Sequence, residues 1–379
     1  MKALSVYIHI PFCVTRCRYC DFVSYLWQDR FQVLSYLAFL YQELCLRVER
    51  YALAGRTVET VYFGGGTPSL LEPEAIAWVL RAMKEYFSFS PRAEITLEMR
   101  PQEGDERKIG DFRGVGVNRL SVGVQSFTPE YLLFLGRDTP KEVLWKTLHE
   151  TRGHFRYWSM DLIYGLPLQD LSRWQRDLEQ ALTFAPPHLS VYNLTLHSQS
   201  PLFWFFRCHK RLFPSVENES VLWEWTMVRL REAGYRQYEI SNFAQPGDEC
   251  RHNLRYWSDQ EYLGLGVSAW SYLKGVRERN TNSLKRYVQA LEKHTLPIAF
   301  REELPPFRRL GEVMVMGLRK GEGLAMEDLE GYPPSMVAEK LKTVKRLVQE
   351  GWLDHSAGRY VLTPRGIVLA NQVLAELID

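Results

Sequence analysis

Short β-branched and apolar runs recur along the first half of the chain, each followed by a turn and by a segment with apolar residues at helical spacing. The runs predict strands at 5–10, 58–63, 93–98, 119–125, 158–163 and 188–193. Between the first two, Phe31, Leu34, Ala38, Tyr41, Cys45 and Val48 advance by alternating steps of three and four. That spacing predicts a helix with this stripe against a core, and it makes Cys45 a small buried hydrophobe. Further helices are predicted at 73–86, 141–152 and 171–183. Strands alternating with helices imply a parallel sheet with right-handed crossovers, doubly wound or barrel-like.

Near residue 195 the rhythm breaks. Residues 201–213 are dense in aromatics (Phe203, Trp204, Phe205, Phe206, Phe213) and read first as core, and a helix at 216–233 is stopped by Gly234. From about 302 the pattern is three helices, a hairpin around 354–363 and a last helix, an order that resembles a winged helix. Residues 301–379 hold 11 Lys plus Arg against 12 Asp plus Glu, so this module is expected to pack or contact protein rather than DNA. The chain thus divides into 1–195, 196–300 and 301–379.

Composition narrows the classes. At 46% hydrophobic and 24% charged, the 379 residues are those of an ordinary globular protein, which excludes disorder and collagen-like repeats. A net charge of +2 gives no electrostatic case for a nucleic-acid partner. No apolar run approaches the ~18 to 20 residues of a membrane span. Residues 1–10 lead into Pro11-Phe12-Cys13 without a cleavage site, and with Met1 as the start no organellar presequence precedes the cysteines, so the expected location is the cytoplasm.

Three of the six cysteines crowd into one loop, Cys13-Val14-Thr15-Arg16-Cys17-Arg18-Tyr19-Cys20. Three thiolates at this spacing can hold three corners of a cubane iron-sulfur cluster and leave one iron open to a substrate. Structural zinc is the competing reading, but it wants four ligands, and Cys45, Cys208 and Cys250 form no second pair; His9 is the one nearby supplement. Gly64-Gly65-Gly66-Thr67-Pro68 follows the second strand, where backbone without Cβ atoms can approach a ligand; a tight turn is the alternative. Glu98, Gln125 and Asp161 fall at or near the C-terminal ends of strands, the edge where parallel α/β sheets gather ligands, with solvent exposure or helix capping as their plainer roles. Gly264-Leu265-Gly266-Val267-Ser268-Ala269 fits a dinucleotide fingerprint, yet no βαβ unit follows it, so it counts as a chance match.

The string Tyr7-Ile8-His9-Ile10-Pro11-Phe12-Cys13 through Cys20 resembles the signature of radical S-adenosylmethionine (SAM) proteins, in the branch related to oxygen-independent coproporphyrinogen III dehydrogenase. Glu98 and Pro101, Val124-Gln125-Ser126-Phe127, Leu135-Gly136-Arg137 and Asp161 through Pro167 match that branch's motifs in order. The resemblance implies an α/β protein built as a partial (βα)6 TIM-like barrel with a C-terminal winged-helix-like α+β module. It implies a [4Fe-4S] cluster on Cys13, Cys17 and Cys20 whose open iron chelates SAM, which one electron cleaves to a 5'-deoxyadenosyl radical. Tyr7, Gly65 and Glu98 would contact that SAM, while Tyr19, Gly66, Thr67, Gln125, Arg137, Asp161 and Thr195 would contact SAM at a neighbouring second position.

Two features set the chain apart from those dehydrogenases. Their loop continues to a fourth cysteine, whereas Asp21-Phe22 follows Cys20; and His252-Asn253-Leu254-Arg255-Tyr256-Trp257 is similar to the heme-binding motif of the HemW family, radical SAM relatives regarded as heme chaperones. By that resemblance His252 would ligate heme iron, Asn253 would orient its ring, and Tyr256 and Trp257 would cover the porphyrin, with 201–213 as a candidate wall. Trp270 stands where many relatives carry a histidine, and Cys208 and Cys250 have no assigned role. The expected function is heme binding and delivery to an apoprotein, with an electron donor for the cluster, a homodimer as one assembly, and membrane contact only transiently through a partner. The rivals are dehydrogenation of coproporphyrinogen propionates to vinyls and another radical SAM reaction on porphyrin, such as heme degradation.

Overall fold

Six parallel strands line one polar lumen in the computed structural model, which describes residues 3–102, 105–198 and 200–378. They are β1 (Leu4–Ile10), β2 (Thr57–Gly65), β3 (Ser88–Met99), β4 (Arg119–Gln125), β5 (Tyr157–Tyr164) and β6 (His188–Asn193), hydrogen-bonded in chain order. Each contains the run that predicted it. Helices on the outer face, among them Pro73–Lys84, Lys141–His154 and Leu171–Thr183, bury Ile76, Leu148 and Trp174 against the strands.

The sheet does not stop at six strands. Tyr262–Leu265 pairs parallel with the free side of β1, in register Ser5↔Tyr262 to Ile8↔Leu265, and Trp270–Leu273, Val276–Asn280 and Ile298–Glu303 continue antiparallel. At the far side β6 pairs antiparallel with Asn242–Ala244, which pairs with Arg236–Gln237, giving twelve strands. The segment expected to connect two modules is therefore woven into the main sheet. The fingerprint-like glycines serve this packing: a Cβ on Gly264 would strike the Trp270 carbonyl, and Gly266, at φ +100°, abuts the Tyr36 hydroxyl.

The first helix, Arg30–Tyr51, begins where Asp29 accepts a hydrogen bond from the Gln32 N–H, at 2.9 Å. Its buried face corrects the expected stripe. Val33, Tyr36, Leu37, Leu40, Leu44 and Val48 are buried, whereas Phe31 is 79% and Leu34 47% exposed. The spacing misled because the true face also carries Glu43 and Arg47, which read as solvent-facing. Arg47 donates to Glu43 (3.2 Å), Glu278 (2.7 Å) and Asn280 (2.8 Å), while Glu43 accepts from Gly266 N and the Tyr287 hydroxyl, both at 2.8 Å. Cys45 is half-buried beside the Tyr86 hydroxyl at 3.3 Å.

In the 201–213 segment the core expectation holds only in part. The helix Pro201–Cys208 buries Leu202, but Trp204 is 59% exposed. The C-terminal module has its own apolar core, built by Leu310, Met314, Val344, Leu347 and Leu374. Two main helices, Pro306–Arg319 and Pro334–Gln349, pack beside the hairpin Leu353–Ser356/Arg359–Leu362; the third helix expected before it is instead a strand, Leu324–Ala325, and one 3-10 turn. No helix among the described residues is long and apolar enough to cross a membrane.

Candidate functional site

The cysteine loop is anchored before any ligand is considered. Phe12–Cys13 pairs in parallel with Tyr25–Leu26, so the chain returns beside its own departure; Arg18 N donates to Leu135 O at 2.9 Å, and Leu202 N to Arg18 O at 3.1 Å. Cys13, Cys17 and Cys20 all face the same cavity of about 400 Å³. Thr67 Oγ1 lies 3.6 Å from Cys13 Sγ, and Arg100, which sequence reasoning missed, lies 3.9 Å from Cys17 Sγ while donating to the Thr15 hydroxyl at 2.8 Å. Burial raises the Cys13 thiol and pushes Cys20 up to about 11. His9 cannot complete a zinc site: its Nε2–H is spent on Val23 O at 2.9 Å, which leaves Nδ1 to accept from the Tyr7 hydroxyl at 3.1 Å.

The glycine run leaves β2 directly beneath this loop. Gly65 takes φ +113°, and its N–H donates to Glu98 Oε2 at 3.0 Å. A Cβ on Gly66 would sit 2.6 Å from Phe12 O, so the close approach this glycine serves is to backbone. The Gly66 and Thr67 N–H groups are likewise spent on Ile10 O and Phe12 O, both at 2.8 Å. Glu98 also accepts from Tyr62, at 2.9 Å, and burial raises its carboxyl to about 7.

Gln125 closes β4 in the left-handed region at φ +70° and lines the cavity. Arg137 donates to Gly123 O (2.5 Å) and the Tyr19 hydroxyl (3.1 Å), with its Nε lacking a partner among the described residues. Asp161 accepts from Ser121 at 3.2 Å, and burial raises it to about 6. Thr195 lines the rim. The structure thus brings together all the expected residues except Tyr7, which lies outside the cavity lining and bonds His9, and His252. Trp270, edge-to-face with Phe300 and under Arg279, lies outside the lining as well.

His252 belongs to the opposite end of the barrel, on the helix Arg251–Tyr256. Glu94 gathers the start of that helix, accepting from Cys250 Sγ (3.4 Å), Arg251 N (3.1 Å) and His252 N (2.9 Å). The imidazole is 1% exposed and stacked on Tyr62 at 5.0 Å, with Nδ1 2.8 Å from the Thr60 hydroxyl and Nε2 3.0 Å from the Tyr256 hydroxyl. Burial lowers it to about 3. Placed so, it offers iron no free lone pair. Asn253 does not orient the ring as expected; it donates to the Tyr238 hydroxyl at 3.4 Å, and Trp257 lies under Arg319. Cys250 is buried at the cavity floor, its thiol pushed up to about 12 by burial, and Cys208 is exposed.

The Radical SAM superfamily model matches residues 7–181, and the HemN C-terminal domain model matches 304–369. "Heme chaperone HemW" of Synechocystis is 32% identical over 98% of this chain and 96% of its own, and that of Bacillus subtilis is 32% identical over 99% of each. The chain belongs to the HemW family. Among solved structures it resembles coproporphyrinogen III oxidase (HemN) from Escherichia coli, a radical SAM enzyme, with TM-score 0.84 and 27% identity over 99% of this chain and 90% of that one. The donor set of this HemW-family chain fits a cluster: three free thiols facing one cavity, with a hydroxyl and a guanidinium directed at two of them. Among the described residues no three His, Cys, Asp or Glu side chains can share one metal ion, but a cubane needs only one thiolate at each of three irons.

Proposed function

We propose that the chain binds heme and passes it to an apoprotein, holding a [4Fe-4S] cluster on Cys13, Cys17 and Cys20 with SAM in the lumen beside it. Family membership along the whole chain carries this reading, since its relatives named as heme chaperones align from end to end. The cluster, once reduced by an electron donor, would supply the electron for SAM cleavage. Around it the chain's residues bind and orient. Glu98 and Gly65 take the methionine end, with Tyr7 behind them. Tyr19, Gln125, Arg137, Asp161 and Thr195 wall the second position, which Gly66 and Thr67 border with their N–H groups already held by Ile10 O and Phe12 O. The acceptor apoprotein and a second copy of the chain are its proposed partners, in the cytoplasm, with membranes reached only through a partner.

Glu98 supplies a test by pH. Its folded-state value of about 7 lies above the ordinary carboxylate range, so without ligand the folded chain keeps a proton that the unfolded chain loses. The associated stability is present at low pH and is lost as pH rises towards about 7. A bound ammonium favours the ionised form and reverses that preference. SAM is therefore expected to raise the unfolding midpoint more at about pH 8 than at about pH 6, and Glu98→Gln to abolish the difference.

His252 is the proposed iron ligand in a state where the Tyr256 hydroxyl has left Nε2. In hemin titrations followed at the Soret band, His252→Ala is expected to lose about tenfold or more in affinity. Tyr256→Phe is expected to gain about two- to tenfold, the worth of one hydrogen bond released from the imidazole. Unchanged affinity in His252→Ala removes the ligand. The likeness to E. coli coproporphyrinogen III oxidase favours one rival; vinyl product at catalytic turnover from coproporphyrinogen, SAM and reductant would replace the chaperone reading.

A further inference from the structure

The inward face of β4 is polar from end to end: Arg119, Ser121, Gly123 and Gln125 all line the cavity. Six residue steps of about 3.3 Å make this shaft roughly 20 Å long, from the cysteine loop to a floor at the strand starts. At that floor Arg119 and His188, the first residues of β4 and β6, are each 2% exposed, and Cys250 and Asn253 close the end.

Two donors there lack acceptors among the described residues. Arg119 Nη1 donates to Asp248 O at 3.1 Å and lies 3.9 Å from Glu94, but Nη2 has no partner. His188 Nδ1 has none either. The chain of bonds admits the tautomer that makes Nδ1 a donor. Asn253 Nδ2 can only donate to the Tyr238 oxygen, so the Tyr238 hydroxyl proton is free to go to His188 Nε2, 2.8 Å away. With Nε2 accepting, the imidazole proton sits on Nδ1. Nearby carboxylates are engaged: Glu94 by Cys250 and the Arg251 and His252 N–H groups, Asp161 by Ser121 one rung above. Two buried donors directed into one cavity, one of them on a guanidinium, call for an anionic acceptor with two oxygens, one for Arg119 Nη2 and one for His188 Nδ1.

We propose that the barrel floor between Arg119 and His188 is a carboxylate-binding pocket, and that it takes a propionate of the tetrapyrrole cargo. The cargo half of the proposal rests on the heme-carrying reading. The pocket adjoins the motif itself, because Cys250 and Asn253 flank His252 and line the floor. A macrocycle ligated by His252 would therefore have a propionate recognition site next to its iron ligand. The other source of the same chemistry is the methionine carboxylate of SAM reaching down the shaft.

The test uses the full chain, anaerobically reconstituted, as wild type, Arg119→Gln and Arg119→Lys, with hemin, hemin dimethyl ester and SAM as probes. Arg119→Gln is expected to weaken hemin about tenfold or more while leaving the ester unchanged, and Arg119→Lys to recover part of the loss. Equal weakening of hemin and ester, or no change with any probe, overturns the proposal and leaves a solvated cavity floor. Loss of SAM affinity with hemin unchanged overturns the tetrapyrrole source and assigns the pocket to SAM. Wild type that fails to bind hemin at all removes the heme reading, and the SAM arm then decides the pocket alone. If Arg119→Gln fails to fold, as judged by its thermal transition, the ester-to-hemin affinity ratio in wild type and Arg119→Lys carries the same comparison.

Discussion

Cys17→Ala is expected to reduce reconstituted iron from about four per chain to near background and to remove the broad visible absorption of the cluster. The effect is large because three thiolates are the whole proposed protein ligand set, and no neighbour can substitute. Cys45 sits on the outer helix against Tyr86, Cys250 lies at the far end of the shaft, and Cys208 is exposed at the end of the Pro201–Cys208 helix. Cys45→Ala and Cys208→Ala should therefore retain full iron content. The measurement is iron and sulfide analysis after anaerobic reconstitution. Retention of a complete cluster in Cys17→Ala would contradict the assignment.

The second large effect is on stability. Arg47 is fully buried and joins two buried carboxylates, Glu43 and Glu278; Glu43 also accepts from Tyr287 and Asn280, and Glu278 from Tyr51, with the half-exposed Arg301 3.9 Å away. Removing the cation leaves Glu43 without a counter-charge, and Glu278 with only the half-exposed Arg301 at 3.9 Å, in a buried interface between the first helix and the strand Val276–Asn280. Arg47→Met is expected to cost about 3–5 kcal/mol in urea unfolding. The triple variant Arg47→Met, Glu43→Gln, Glu278→Gln should recover most of it, because the buried charge goes with the cation. A loss under about 1 kcal/mol in the single variant would mean that water reaches the carboxylates.

The same network explains where sequence reading succeeded and where it stopped. The strand runs were legible because each is a short β-branched stretch bounded by turns. The buried face of the first helix was not, because Glu43 and Arg47 read as solvent-facing until strands more than 200 residues away supply their partners. The cysteine loop and the residues at strand ends could be gathered at one edge by topology alone. The floor could not, although a signal existed: Arg119, Ser121 and Gly123 alternate with Leu120, Val122 and Val124, where a parallel strand buried on both faces should read as continuously apolar. His252 was legible as a motif, but its engaged nitrogens depend on Thr60 and Tyr256 meeting it in space.

The extension of the sheet beyond β1 bears on how copies of this chain meet. A barrel of six strands left open would present an unpaired backbone along β1, a template for another chain. Here that edge is occupied by Tyr262–Leu265, and the exposed margin passes outward to Ile298–Glu303. That outermost strand carries Arg301, Glu302 and Glu303 in a row, with Arg277 drawn to Glu302 at 3.7 Å. Pairing two such margins in antiparallel fashion would bury charged side chains against one another. Self-association of this chain is therefore steered away from strand-to-strand addition and towards faces formed by side chains.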